Sequence, residues 1–370
     1  MALTKVDPSV VNDQVIGRRN LIINGEMRIA QRGPSSSGQT GAGYFCCDRF
    51  DTTMSSAGTW TVSQDSTVPT GAGFVNSMKY QCTTADSSLD ASNYLIHRTS
   101  LEGQDLQHLK YGTSSAEKLT LSFWVRSAKT GTYIVEFVNH NSGVKSNSQS
   151  YTISSADTWE KKTITIDGDT ATGFLNNIVG QLSLYFWLAS GSTYTGGTLS
   201  TSWTSMTNAN RAVGQVNLAD STSNNWYITG VQLEVGDAAT PFEHRDPREE
   251  LKLCRRYYQE LSGFHALPMW SYGRDNASCI IWLDGDMRTD PTASYSGDLG
   301  TLQTATQMGV YENGWITTNS MNLVTGTSAS NPRMVRMNTA HATNAFADTG
   351  AACGFYCNDE FKLIFQCELN

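Results

Sequence analysis

Two pairs of aspartates stand where paired carboxylates could act on a glycosidic bond: Asp284 and Asp286 in "LDGDMR", and Asp167 and Asp169 in "DGDT". Such hydrolysis needs one carboxyl to protonate the leaving oxygen and a second across a cleft, about 5–9 Å away. Both pairs are spaced two apart around a glycine in turn-like sequence, so the expectation is two solvated β-turns. Alternating Asp around Gly also offers hard oxygens to calcium, but neither loop carries the further ligands such a site uses. There is no G-x-S-x-G elbow, H-E-x-x-H helix or phosphate loop. The six histidines are scattered, and His244 in "PFEHR" is expected to make a structural hydrogen bond. Of eight cysteines, Cys353 and Cys357 lack the spacing of a zinc knuckle and a matching second pair. The cysteines are read as small buried hydrophobes. The sequence thus predicts no catalytic residue, no metal and no cofactor.

Aromatic rings offer a different chemistry. Sugars present polarised C–H groups to the negative face of a ring, while nearby Asn, Asp and Gln take the hydroxyls. Trp270 and Tyr272 in "PMWSYGRDN", Tyr295 in "ASYSG", and Tyr311 and Trp315 in "VYENGWITT" are rings in polar, turn-like settings. They are the candidate carbohydrate-binding residues. Trp124, Trp159, Trp187 and Trp226 lie in strand-like runs and are expected in the core.

The elements that must position these rings are strands. The 370-residue chain is rich in Ser, Thr, Gly and Asn, and short runs of alternating character recur between turn clusters. In "KLTLSFWVRSA" (118–128) Leu119, Leu121, Phe123 and Val125 share one face, and "TYIVEFVNH" follows across Lys129-Thr130-Gly131 as a hairpin. About ten strands in some 200 residues fit a jelly roll. "SCIIWLDGDMR", "PRMVRMNT" and "EFKLIFQCEL" predict strands in a second, smaller C-terminal β-sandwich. The fold class is therefore all-β.

One stretch breaks the pattern. From Glu243 to Glu260, ten of eighteen positions are charged, in a chain that is 16% charged. Asp246 suits an N-cap, Pro247 the first helical position, and Glu249 completes a capping box. Leu251, Cys254, Tyr258 and Leu261 make an apolar stripe, and Gly263 suits a C-terminal cap. The prediction is a short linking α-helix over 247–262, burying its stripe against a domain or against copies of itself. The expected division is an attachment segment and linker (1–40), a jelly roll (41–246), the helix (247–262) and a receptor-facing β domain (263–370).

The net charge of −8 argues against a sequence-blind nucleic-acid binder, which needs a basic surface. No apolar run approaches the roughly 20 residues that span a bilayer, so no membrane insertion is expected. The start, "MALTKVDPSVVNDQ", lacks the apolar stretch of a secretory signal, which predicts synthesis in a cytoplasm.

"NLIINGEMRIAQRG" (20–33), "CDRF" (47–50), "LSFWVRSAKTGTY" (121–133), "DTWEKKTITIDGDT" (157–170) and "GVQLEVGDAATPFEHRDPREELKLCRRYYQE" (230–260) occur in the order found in a family of bacteriophage tail-fibre and virion appendage proteins. The chain resembles that family over about 20–262, and "MRTDPTASYSG" (287–297) resembles the start of a strand pair in its downstream domains. The resemblance implies a jelly roll similar to carbohydrate-binding modules, a linking helix, a receptor-facing C-terminal domain and a homotrimer. In that trimer Leu251, Cys254, Tyr258 and Leu261 would meet around one axis. It implies a virion protein, made in the host bacterial cytoplasm, that docks on other virion proteins through residues 1–40 and binds a host surface glycan. A purely structural connector or capsid-decorating protein is the alternative, and a polysaccharide depolymerase a third reading.

Overall fold

The computed structural model describes residues 18–262, 266–273, 276–296, 309–311, 315–316, 318–324, 334–341, 352–356 and 362–369. The chain divides into two units. One runs to Glu250 and takes in Leu369; the other runs from Leu251 to Glu368.

The strands of the first unit are β1 (Ser35–Gln39), β2 (Asp51–Ser55), β3 (Thr59–Asp65), β4 (Ser77–Thr84), β5 (Tyr94–Glu102), β6 (Leu119–Ser127), β7 (Gly131–Asn139), β8 (Lys145–Ile153), β9 (Glu160–Ile166), β10 (Gly180–Ser190), β11 (Thr204–Ser205) and β12 (Asn225–Val235). They form two six-stranded sheets, in the orders β1-β3-β4-β12-β6-β9 and β11-β8-β7-β10-β5-β2. Every neighbouring pair is antiparallel. Alternation decides which residues meet between the sheets. Trp60, Tyr80, Phe123 and Trp226 from the first pack with Phe137, Leu184 and Phe186 from the second. This is the jelly-roll sandwich that the alternation predicts. Trp187 and Trp226 are buried as expected. Trp124 and Trp159 are only half-buried. Phe123 fills the core, so its strand neighbour must face outward, and Trp159 packs edge-on against Tyr227 at 6.1 Å.

The predicted boundary at residue 40 is corrected. Residues 18–39 are built into the sandwich, where Leu21, Ile22 and Met27 join its core. "PSSSGQTG", read as a linker, supplies the edge strand β1, paired with β3. The reason lies in hydrogen bonding. Asn20 receives the amides of Ile22 and Leu233 at 3.0 and 3.1 Å, and its Nδ2 donates to the Val231 carbonyl at 3.0 Å. Arg245, from the charged stretch, donates to the carbonyls of Asn20 and Ile22 and to Glu243 and Glu250. Gly25 lies so close to β12 that a Cβ there would stand 2.1 Å from the Val231 oxygen. His244 makes the expected structural hydrogen bond, to Glu26 at 3.1 Å.

The helix is corrected as well. It covers Pro247–Arg255, and Tyr258–Ser262 is a strand, β13. Tyr258 and Leu261 therefore do not continue the stripe of Leu251 and Cys254. Cys254 and Tyr258 are already buried within the single chain, while Leu251 and Leu261 are half-buried. Local propensity over "RRYYQEL" lost to tertiary pairing: β13 is antiparallel to β22 (Lys362–Gln366), with Tyr258 opposite Gln366 and Leu261 opposite Leu363.

The second unit is also all-β. Besides β13 and β22 it contains β14 (Ala266–Gly273), β15 (Asn276–Trp282), β16 (Thr292–Ser296), β17 (Gly309–Tyr311), β18 (Trp315–Ile316), β19 (Thr318–Val324), β20 (Met334–His341) and β21 (Ala352–Tyr356). They form a three-stranded sheet, β13-β22-β16, and a seven-stranded sheet, β18-β17-β21-β14-β15-β20-β19. Leu363 and Phe365 are fully buried on β22, as its alternation predicts.

Candidate functional site

The centre of the seven-stranded sheet shows how its rings are presented. On β14 Met269 is buried and Trp270 is 43% exposed; on β15 Cys279 and Ile281 are buried while Ile280 and Trp282 are 43% and 67% exposed. Trp270 stands opposite Ser278. Directly opposed residues share a face, so Trp270, Ser278, Ile280 and Trp282 project from the same side. The next strand continues it, with Arg336 opposite Ile280 and Met334 opposite Trp282. Arg336 is exposed. The Ser278 hydroxyl donates to Asn338 Oδ1 at 2.9 Å, which places a side-chain amide beside the strip. Trp282 lies four residues along β15 from the position facing Trp270, about 14 Å at the rise of a strand. The two indoles thus bracket a length suited to an oligosaccharide rather than a single ring.

Of the five rings predicted from sequence, the structure places Trp270 in this strip. Tyr295, 37% exposed, belongs to the other sheet, opposite Leu363 on β22. Tyr272 shares β14 with Trp270, and Tyr311 and Trp315 pair with each other between β17 and β18 in the same seven-stranded sheet. The side chains of these three lie outside the described residues. The five candidates therefore do not form one platform. Trp282 and Ile280 were missed. The signal was the run "CIIW", apolar on both faces of a strand.

The aspartate pairs lie in irregular segments that follow strands, and three of the four are exposed while Asp169 is not, so the expected pair of solvated β-turns is corrected. Asp284 is exposed and pairs with Arg255, and its amide donates to Gln259 Oε1 at 2.9 Å. Asp167 is exposed and pairs with Lys118 at 3.0 Å. Asp169 is buried and accepts the amides of Ala171 and Thr172 at 2.9 and 3.2 Å, with Lys145 at 3.2 Å. Among the described residues no three His, Cys, Asp or Glu side chains group as a metal site would require.

No protein-family model matches the sequence, and no curated protein matches it. Solved structures resemble parts of it at low similarity. The enzymatically active domain of tailspike protein 4 of bacteriophage CBA120 is 11% identical, over 59% of this chain and 22% of that one, with a TM-score of 0.32. The module TmCBM61, in complex with β-1,4-galactotriose, is 12% identical over 59% of this chain and all of its own, at 0.29. A family 11 carbohydrate-binding module from Clostridium thermocellum, in complex with a mixed-linked tetrasaccharide, is 15% identical over 59% and 95%, at 0.25. This chain spans less than a quarter of the tailspike domain. Likenesses this distant decide neither ligand nor activity.

Proposed function

We propose that the chain is a non-enzymatic bacteriophage virion appendage, a short fibre of tail or head that attaches the particle to its host by binding envelope polysaccharide. The observation that carries the glycan reading is the strip of Trp270 and Trp282. Two exposed indoles stand on one face of a sheet, with the Asn338 amide and the Arg336 guanidinium beside them. The virion reading rests on the motifs shared with the appendage family. Residues 18–39 are committed to the sandwich, so docking on other virion proteins falls to residues 1–17. A homotrimer would raise the effective concentration of weak sites. Its contacts must come from surfaces other than Cys254 and Tyr258, which are buried in one chain.

The test uses the full chain with envelope polysaccharide from candidate hosts, following both binding and polysaccharide length. Trp282→Ala should weaken binding about tenfold or more, since aromatic stacking on a sugar is the main apolar contact available. Unchanged binding would remove the strip from the reading. Shortening of the polysaccharide would make the protein a depolymerase, and no binding by a folded chain would favour a structural bracket of the particle.

A further inference from the structure

The outer face of the second six-stranded sheet carries a constellation that the glycan strip does not use. One row crosses four strands in register: Asp51 on β2 opposite Arg98 on β5, Arg98 opposite Tyr185 on β10, and Tyr185 opposite Glu136 on β7. Arg211, from the segment between β11 and β12, reaches back over this row. Its Nε and Nη2 donate to the two Glu136 oxygens at 2.9 and 3.0 Å, and among the described residues Nη1 has no hydrogen bond. Arg98 is fastened to Asp51 in the same way, Nε and Nη2 each at 2.9 Å. Both guanidiniums lie near the Tyr185 ring, at 5.9 and 5.6 Å from its centre. The ring itself is half-buried. His140 stands 6.5 Å from Tyr185 and is held by Ser183 through Nε2 at 2.9 Å.

The two ion pairs do not cancel evenly. Asp51 and Glu136 are 4% and 0% exposed, while the Arg98 and Arg211 side chains keep a margin of exposure, 14% and 11%. The exposed margin of the two ion pairs therefore lies on the arginine side chains. His140 senses their field: burial, then Arg98 and Arg211, push its pKa down to about 4. Burial also pushes the Glu136 carboxyl up, against the opposing pull of Arg211. Fixing two arginines in place before a ligand arrives removes the side-chain entropy that binding otherwise costs.

We propose that Tyr185, Arg98, Arg211 and His140 form a subsite for a carboxylate-bearing sugar. The carboxylate accepts from Arg211 Nη1, a charge-assisted hydrogen bond, and from the Tyr185 hydroxyl, whose oxygen already accepts from Arg98 and keeps its proton to donate. The ligand's identity as a sugar rests on the glycan-binding reading; the preference for a carboxylate rests on this geometry alone.

The experiment titrates the full chain with trigalacturonate, galactotriose and triglutamate at low and high salt. Tyr185→Phe is the informative variant, because it removes one hydroxyl and keeps the ring between the guanidiniums. Trigalacturonate should bind, more weakly at high salt, and Tyr185→Phe should weaken it about tenfold. Galactotriose should bind markedly more weakly and be indifferent to Tyr185→Phe. Equal affinity for the acidic and neutral trimers, an unaffected Tyr185→Phe, or no binding of trigalacturonate by folded protein would overturn the subsite. Triglutamate binding as tightly would overturn its assignment to sugars. Trp282→Ala separates the two readings: it should reduce binding of envelope polysaccharide and leave the Tyr185-dependent binding of trigalacturonate unchanged.

Discussion

His97 lies in the centre of the jelly roll and should make its stability depend on pH. The side chain is fully buried. Its ring stacks on Phe50 at 4.9 Å with 5° between planes, and Tyr80, Phe186 and Trp226 surround it at 5.5 to 5.7 Å. Nδ1 meets the Tyr80 hydroxyl at 3.1 Å, whereas Nε2 has no partner. An imidazolium in this cage would hold an unsolvated charge, and burial lowers the pKa from 6.5 to about 3. The sign follows from the proton count. Between these values the unfolded chain binds a proton that the folded chain refuses, so stability is intact above pH 6.5 and falls as pH drops toward 3. Each pH unit below 6.5 costs a little over about 1 kcal/mol, or about 3 kcal/mol by about pH 4.5. The perturbation is His97→Phe, which keeps a ring against Phe50 and leaves the Tyr80 hydroxyl its bond to Thr52 at 2.8 Å. Urea unfolding of both proteins across this range isolates His97, because carboxylates and the other histidines contribute equally to each. The wild type should lose about 2–3 kcal/mol relative to the variant between pH 7 and 4.5. Parallel curves would refute the reasoning and place the proton on folded His97.

Further outcomes follow from the same packing. Gly25→Ala should destabilise the first unit by at least about 2 kcal/mol, read as a lowered urea midpoint, because its Cβ would meet the Val231 oxygen at 2.1 Å. Arg245→Ala should cost about 3–5 kcal/mol, measured the same way, since it strips the cation from Glu250, whose side chain is 5% exposed. Leu363→Ala, at a fully buried position on β22, should cost about 2–5 kcal/mol and expose the second unit to limited proteolysis. Trp282→Ala, at 67% exposure, should change stability by less than about 0.5 kcal/mol by thermal denaturation.

Legibility in the sequence tracked the range of the forces involved. Alternation is local, so the strands around Phe123, Val135 and Leu363 and their inward faces could be read directly. The capping residues before Pro247 also act locally, and the helix begins where they place it. Its end could not be read, because Tyr258 and Leu261 are taken by a strand more than a hundred residues away. The same limit scattered the ring candidates. Trp270 and Tyr295 stand 25 residues apart in similar sequence, yet pairing sends them to different sheets. Trp282 was legible in principle. In "CIIW" both strand faces are apolar, and a strand with one face in a core must then present the other to something.

The charged stretch divides between exposed residues, Asp246, Arg248, Glu249 and Lys252, and residues that bind backbone. Glu243, Arg245 and Glu250 bind the backbone of residues 19–24, so the N-terminal motif and the stretch beginning "PFEHR" are two halves of one clasp. A carbonyl or amide leaving water needs a partner, and an irregular segment cannot find all of them in a sheet ladder. Charged side chains supply stronger bonds than neutral ones; Glu243 and Arg245 each bind two backbone groups of this segment and Glu250 binds one. That economy explains why the charges cluster in sequence where the fold is least regular. It also separates them from recognition: these groups already have their partners, whereas among the described residues Trp270 and Trp282 remain exposed and the Nη1 of Arg211 has no hydrogen bond.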